Sequence, residues 1–300
     1  MTNLQIFVAC IAIWGSTWIA ITFQLGTVAP EASVCYRFLL ASILVFAYCR
    51  ARELPLRYKL REHAWMALFG VFMFSVSYIF VYYAEQQVVS GLVAVGYSAS
   101  PLLGMLGLWL FFRTPMTLSV ALGAALGIVG IALVFLPEFG HVKEDGNPGW
   151  GAAFTLLAVV ASTLGSMVAH RNHEARLPLW QTLAWGMLYG AMFSLAVALA
   201  SGKQLTFELT PAYILSLLYL AVFGSIVAFA GFLTLLGRNR CGARRVYRCH
   251  GADHGTHHLS GVRGISLARF NVGGRRSVCR RQRRHFALAG GPPSDDVALR

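Results

Sequence analysis

Arg37 lies about five residues into a stretch, residues 32–49, that carries no other charge. An ionisable group inside a membrane span marks a functional position by default. The competing reading is that the side chain extends along its stem and carries the guanidinium to the interface. Three other apolar stretches hold polar and aromatic residues at helical spacing. Ser75, Tyr78, Tyr82 and Glu85 follow i, i+3, i+7, i+10, one side of a helix. Trp14, Thr17 and Trp18 share a face in the first stretch, and Tyr97, Ser98 and Pro101 share one in the fourth. Pro101 removes one backbone hydrogen bond and frees a carbonyl at membrane depth for a solute or water. These eleven residues are the substrate-path candidates. A plainer reading stands beside this one. Trp and Tyr form interfacial belts, and small residues such as Gly123, Gly127 and Gly130 permit close helix packing.

Catalytic chemistry is not legible. His63, His141, His170 and His173 all fall in loops or at helix ends, and Gly96–Ser100 lacks the final Gly of a nucleophile elbow. Cys249, His250, His254, His257 and His258 are ligand types, but their spacing fits no standard zinc pattern. The chain reads as a non-enzyme with no catalytic residues, no cofactor and no metal site.

The elements that must position the candidates follow from composition. The chain is 57% hydrophobic and 12% charged, with a mean hydropathy of +0.60. A soluble domain is about a quarter charged, and lipid lets apolar side chains face outward. A spanning helix needs about 20 mostly apolar residues. Eight stretches qualify: 4–23, 32–49, 64–84, 88–111, 118–136, 150–169, 179–200 and 211–236. They are too long and too regularly apolar for barrel strands, which are about ten residues and alternate. Breakers punctuate them: Pro30 before the second, Pro115 before the fifth, Pro137 after it, and Pro211 at the start of the eighth. The expected fold class is therefore an all-α integral membrane protein.

Charge orients these spans. One set of alternate loops holds nine basic residues, among them Arg50, Arg52, Arg57, Lys59, Arg61, Arg113, Arg171, Arg176 and Arg238. The opposite loops hold only Lys143 and Lys203, with Glu31, Glu85, Glu138, Glu144, Asp145 and Glu208. The positive-inside rule then places both the N-terminus and the tail in the cytoplasm. The chain reads as two unequal copies, residues 1–137 with five spans and residues 150–238 with three. An odd number of crossings inverts one copy relative to the other, a recurring transporter design with its site near the midplane.

The order of short motifs resembles the EamA type of the drug/metabolite transporter superfamily. Trp14-Gly15-Ser16-Thr17-Trp18 is similar to the family's opening Trp-Gly-Ser. Pro30 followed by Tyr36-Arg37-Phe38 is similar to its Pro and Arg-Phe. Gly91 through Pro101 resembles its Gly-to-Pro helix, and Leu122–Gly130 its Gly-rich helix. The resemblance covers residues 4–238 and implies a ten-helix fold of two five-helix inverted repeats. It implies a multi-pass protein of the cytoplasmic (inner) membrane that exports small metabolites or amino acids by alternating access. Its partners would be a small-molecule solute and membrane lipids, with no nucleic acid. The chain departs from the pattern at Arg113, where the family tends to carry an acid, and in lacking the ninth and tenth helices.

Residues 239–300 change character, with 13 Arg, no Lys and 3 Asp, a net of +10 against +3 for the rest. This tail is expected to be disordered or irregular. One reading is an electrostatic tail, which would make the chain a membrane adaptor. Another is out-of-frame translation. With one base dropped at Cys249, that codon gives Val or Ala, and the codons of His250, His254, His257 and His258 give Met, Ile or Thr. The His-rich stretch then becomes an apolar helix, which places the shift near Gly237–Asn239. The product as written would then be a truncated, non-transporting remnant.

Overall fold

The computed structural model describes residues 2–97, 99–112 and 147–238, with scattered helical positions between 118 and 133. The described elements are helices: α1 Asn3–Thr22, α2 Pro30–Ala51, α3 Leu60–Gln87, α4 Ser90–Tyr97, α5 Ser100–Phe112, α6 Pro148–Glu174, α7 Leu179–Ala200 and α8 Pro211–Arg238. Seven spans among the described residues are long and apolar enough to cross a bilayer, α4 and the start of α5 counting as one. The span expected at 118–136 is described only at scattered helical positions, and Ser98, the 141–146 loop and the tail lie outside the described residues.

Local chemistry sets the helix starts. Thr2 and Gln5 form a reciprocal capping box on α1. Asn147 accepts from the N–H groups of Gly149 and Trp150 at the start of α6, and Thr210 accepts from Tyr213 at the start of α8. Proline opens α2, α6 and α8, where its missing N–H costs nothing. Several helices outrun their apolar stretches. Arg171 lies within the last turn of α6, not in a loop, and its guanidinium sits 4.1 Å over the Trp65 ring. Glu31 and Glu85, counted above with the outer loops, are instead helical and only 2% and 1% exposed.

The expected unbroken helix over 88–111 is two helices. α4 ends at Tyr97, Ala99 is in a turn, and α5 restarts at Ser100. Pro101 is thus the second residue of a new helix. The carbonyl its missing N–H would have served is that of Tyr97, and the Ser100 hydroxyl donates to it at 2.6 Å. The freed carbonyl expected to await a solute already has a donor.

α3 packs along the length of α6, α2 packs along α7, and α3 crosses α7 through glycine. A Cβ at Gly70 would lie 2.1 Å from the Gly186 carbonyl oxygen, and one at Gly190 would lie 2.8 Å from the Gly70 oxygen. Gly186 and Gly190 are four apart, the small-xxx-small spacing that lets membrane helices meet backbone to backbone. Gly165 on α6 meets the Met73 backbone of α3 in the same way. Of the three glycines expected to serve packing in the fifth span, a Cβ at Gly127 would lie 2.9 Å from the Leu102 Cδ1, while one at Gly123 or Gly130 would meet nothing within 4 Å among the described residues.

α3 and α8 each contain a π-helical segment, Val71–Val76 and Leu220–Val227. Their closing bonds span five residues, from the Ser77 N–H to the Phe72 carbonyl and from the Ala228 N–H to the Phe223 carbonyl. Such turns are rare and cluster at functional sites. The outward faces carry Leu, Ile and Phe, as in Leu4, Phe7 and Ile11 of α1 and Leu215 and Phe223 of α8.

Candidate functional site

Arg37 is completely buried, so it does not reach the interface. Its Nε donates to the Ser225 Oγ at 3.0 Å. The same serine hydroxyl donates to the Leu220 carbonyl at 2.9 Å, five residues back, a bond that only the π turn of α8 brings into line. The Tyr78 ring lies 4.5 Å from Cζ and the Phe38 ring 5.1 Å, both within cation–π range. Gly224 leaves room for the guanidinium, because a Cβ there would sit 3.1 Å from Nη2 and 2.8 Å from the Thr17 methyl. Nη1 is buried with no hydrogen-bond partner among the described residues.

The other candidates sort by neighbour. Tyr78 and Tyr82 both face the Arg37 charge from α3. The Tyr82 hydroxyl donates to the Gln24 Oε1 at 2.6 Å, just beyond the end of α1. Glu85 is buried one turn further along α3. Ser75 does not join this group. The π turn directs it to α7, where its hydroxyl lies 2.6 Å from that of Ser194. On α1, Trp14 packs edge-on to Phe229 of α8, Thr17 is buried against the same helix, and Trp18 turns to Tyr97 of α4. The Tyr97 and Ser77 hydroxyls are 3.0 Å apart. Ser98 lies outside the described residues, and Pro101 lies in the first turn of α5.

Sequence reasoning missed Gln24, Gly224 and Ser225. Gly224-Ser225 is a small and polar pair near the middle of a mostly apolar span, which is the one local signal it offers. It also missed that Glu31 is buried in the first turn of α2 and accepts a hydrogen bond from the Tyr83 hydroxyl at 2.5 Å. Among the described residues no three His, Cys, Asp or Glu side chains gather as a metal site.

Apolar helices wrapped round a buried guanidinium, tyrosines, tryptophans and paired serines define a multi-pass α-helical membrane protein. Residues 2–136 match the EamA-like transporter family. The chain is 32% identical over 234 residues to the uncharacterized inner membrane transporter YedA of Escherichia coli K12, spanning 75% of this chain and 71% of that one. It is 24% identical over 224 residues to a WAT1-related chloroplastic protein of Arabidopsis thaliana, spanning 72% of this chain and 53% of the relative. A solved crystal structure shares its fold with a TM-score of 0.59 at 18% identity, covering 79% of each chain. The chain belongs to the EamA-like transporters of the drug/metabolite transporter superfamily.

Proposed function

We propose that the chain exports small metabolites or amino acids across the cytoplasmic (inner) membrane by alternating access. The path runs between two oppositely oriented repeats, residues 1–137 and 150–238, with both termini in the cytoplasm. The observation that carries this reading is the matched pair of π turns. They begin after 11 helical residues in α3 and after 9 in α8. Each presents a serine to one member of the central α2–α7 pair, Ser75 to Ser194 of α7 and Ser225 to Arg37 of α2. In a five-helix repeat, α3 corresponds to α8 and α2 to α7, so corresponding helices exchange corresponding contacts. Two copies facing each other across a pseudo-two-fold axis have this property, and their interface near the midplane is where solute sites form. π turns also bend more readily than regular helix, which suits helices that rock about a fixed centre. The name of the Escherichia coli relative supports the inner membrane as the location.

The test is solute uptake and release by the purified chain in proteoliposomes of known orientation. Transport of a small-solute panel, faster from the cytoplasmic face, supports the proposal. A sealed preparation that moves nothing supports the second reading, a remnant that inserts without completing its second repeat. That reading draws on α1, of which 17% of the span is buried against 56% for α2. An adaptor would instead lose binding to anionic vesicles when residues 239–300 are deleted.

A further inference from the structure

We propose that the cytoplasmic ends of α6, α7 and α8 hold the headgroup of an anionic phospholipid of the inner leaflet. The proposal rests on the orientation given above and not on transport itself. A cavity of about 640 Å³ lies between the three helix ends. Its floor is buried at Ala169, Thr182 and Leu233, with Leu177 and Leu179 half-buried beside them. The Thr182 hydroxyl is spent on the Pro178 carbonyl at 2.7 Å, so the floor is close to apolar. The rim is exposed and charged: His173, Arg176 and Arg238 stand there against the single carboxylate of Glu174. Ala169 and Leu233 lie in the last turns of the apolar stretches 150–169 and 211–236, and Leu179 opens the stretch 179–200. The three basic residues lie beyond those stretches. The cavity therefore straddles the boundary between bilayer and water. Its occupant must be apolar on one side and anionic on the other, which is the build of an anionic phospholipid. A soluble anion would leave the floor uncovered. The volume is about twenty times the roughly 30 Å³ share of one water, room for a glycerophosphate and the start of its acyl chains.

The rim is held in place. Arg176 follows the end of α6 with a φ of 60°. Its N–H donates to the His173 carbonyl and the Leu177 N–H to the Asn172 carbonyl, both at 3.0 Å. That double closure fixes the direction in which Arg176 leaves the helix. Arg238 is steadied by Nη1, which donates to the Asn3 Oδ1 at 3.1 Å. Gly237 makes room for the His173 ring, because a Cβ there would lie 2.8 Å from Cε1. The start of α7 adds positive potential beside Leu179, since its first turn carries neither a side-chain cap nor an acid. Basic pockets between spans on the cytoplasmic side suit anionic headgroups. Charge also argues against the chain's own tail as the occupant, because residues 239–300 carry a net of +10.

The experiment uses the full chain, purified and placed in nanodiscs of equal parts phosphatidylglycerol and phosphatidylcholine. Native mass spectrometry reads which lipid stays bound, and thermal unfolding in phosphatidylcholine alone confirms that each variant is folded. Phosphatidylglycerol should be retained over phosphatidylcholine. Arg176→Gln combined with Arg238→Gln should lower its retention roughly 10- to 30-fold. Arg57→Gln combined with Lys59→Gln removes the same charge from the same side of the membrane and should leave retention unchanged. Leu233→Trp fills the floor with the rim charges intact and should also displace the lipid. The inference is overturned if both lipids are retained equally, if the Arg57 and Lys59 pair matters as much as the rim pair, or if Leu233→Trp leaves the lipid in place. It is also overturned if sodium phosphate displaces the lipid more than sodium chloride of equal ionic strength, which would make the site one for a free anion. Selective retention in a chain that moves no solute would leave this inference standing and remove the transport reading. Transport without lipid selectivity would do the reverse.

Discussion

Gly70→Ala adds one methyl group where α3 crosses α7. Its Cβ would lie 2.1 Å from the Gly186 carbonyl oxygen and 3.0 Å from the Gly190 backbone nitrogen. Both are backbone atoms, so no side chain can rotate away. The crossing must open by more than about 1 Å to reach an ordinary contact distance. That movement also pulls Phe69 and Phe74 from their seats against Gly186 and Gly190. Overpacking of this kind costs about 1–3 kcal/mol. The matched control is Gly15→Ala in α1, where a Cβ meets nothing within 4 Å. There the change relieves the helix-interior cost of glycine, a gain of about 0.5–1 kcal/mol. The two variants add the same atoms in the same type of element, so the propensity gain cancels and their difference of about 1–3 kcal/mol isolates the crossing. Unfolding by SDS in mixed micelles, followed by tryptophan fluorescence, measures it. If Gly70→Ala is as stable as Gly15→Ala, the close α3–α7 crossing is not the native one.

Three further outcomes are expected. Ser75→Ala strands the buried Ser194 hydroxyl and should cost about 1 kcal/mol, while the Ser75→Ala, Ser194→Ala double variant should cost little more; additive losses in the same SDS assay would mean the two serines are not partners. Cysteines placed one at a time at Arg57 and Lys203 should react with membrane-impermeant maleimide only from the cytoplasmic side and only from the outer side respectively; the opposite pattern would reverse the topology. Sequencing the gene around codon 238 should reveal a single insertion or deletion whose repair yields two apolar helices in place of residues 239–300, and an intact single frame would rule out the frame-shift origin of the tail.

Hydropathy is a local property, and it was enough for the class of the protein. Lipid requires each span to satisfy its own backbone and to be apolar along its whole length. The spans, their prolines and the oddity of Arg37 can therefore be read residue by residue. The same requirement hides the interior. In a soluble helix the polar face points away from the core, but in a lipid-facing helix both sides are apolar, so periodicity does not separate inside from outside. Ser75 and Tyr78 looked equivalent on one face until the π turn at Val71–Val76 sent the serine to α7 and left the tyrosine against Arg37. The partner of Arg37 is 188 residues away in the chain, in a span with no charge to advertise it. Whether Arg37 reaches for water or stays at the centre was likewise open to sequence. The tertiary structure decided it, because only the packing of α1, α3 and α8 round the guanidinium determines whether its stem has a route to the interface.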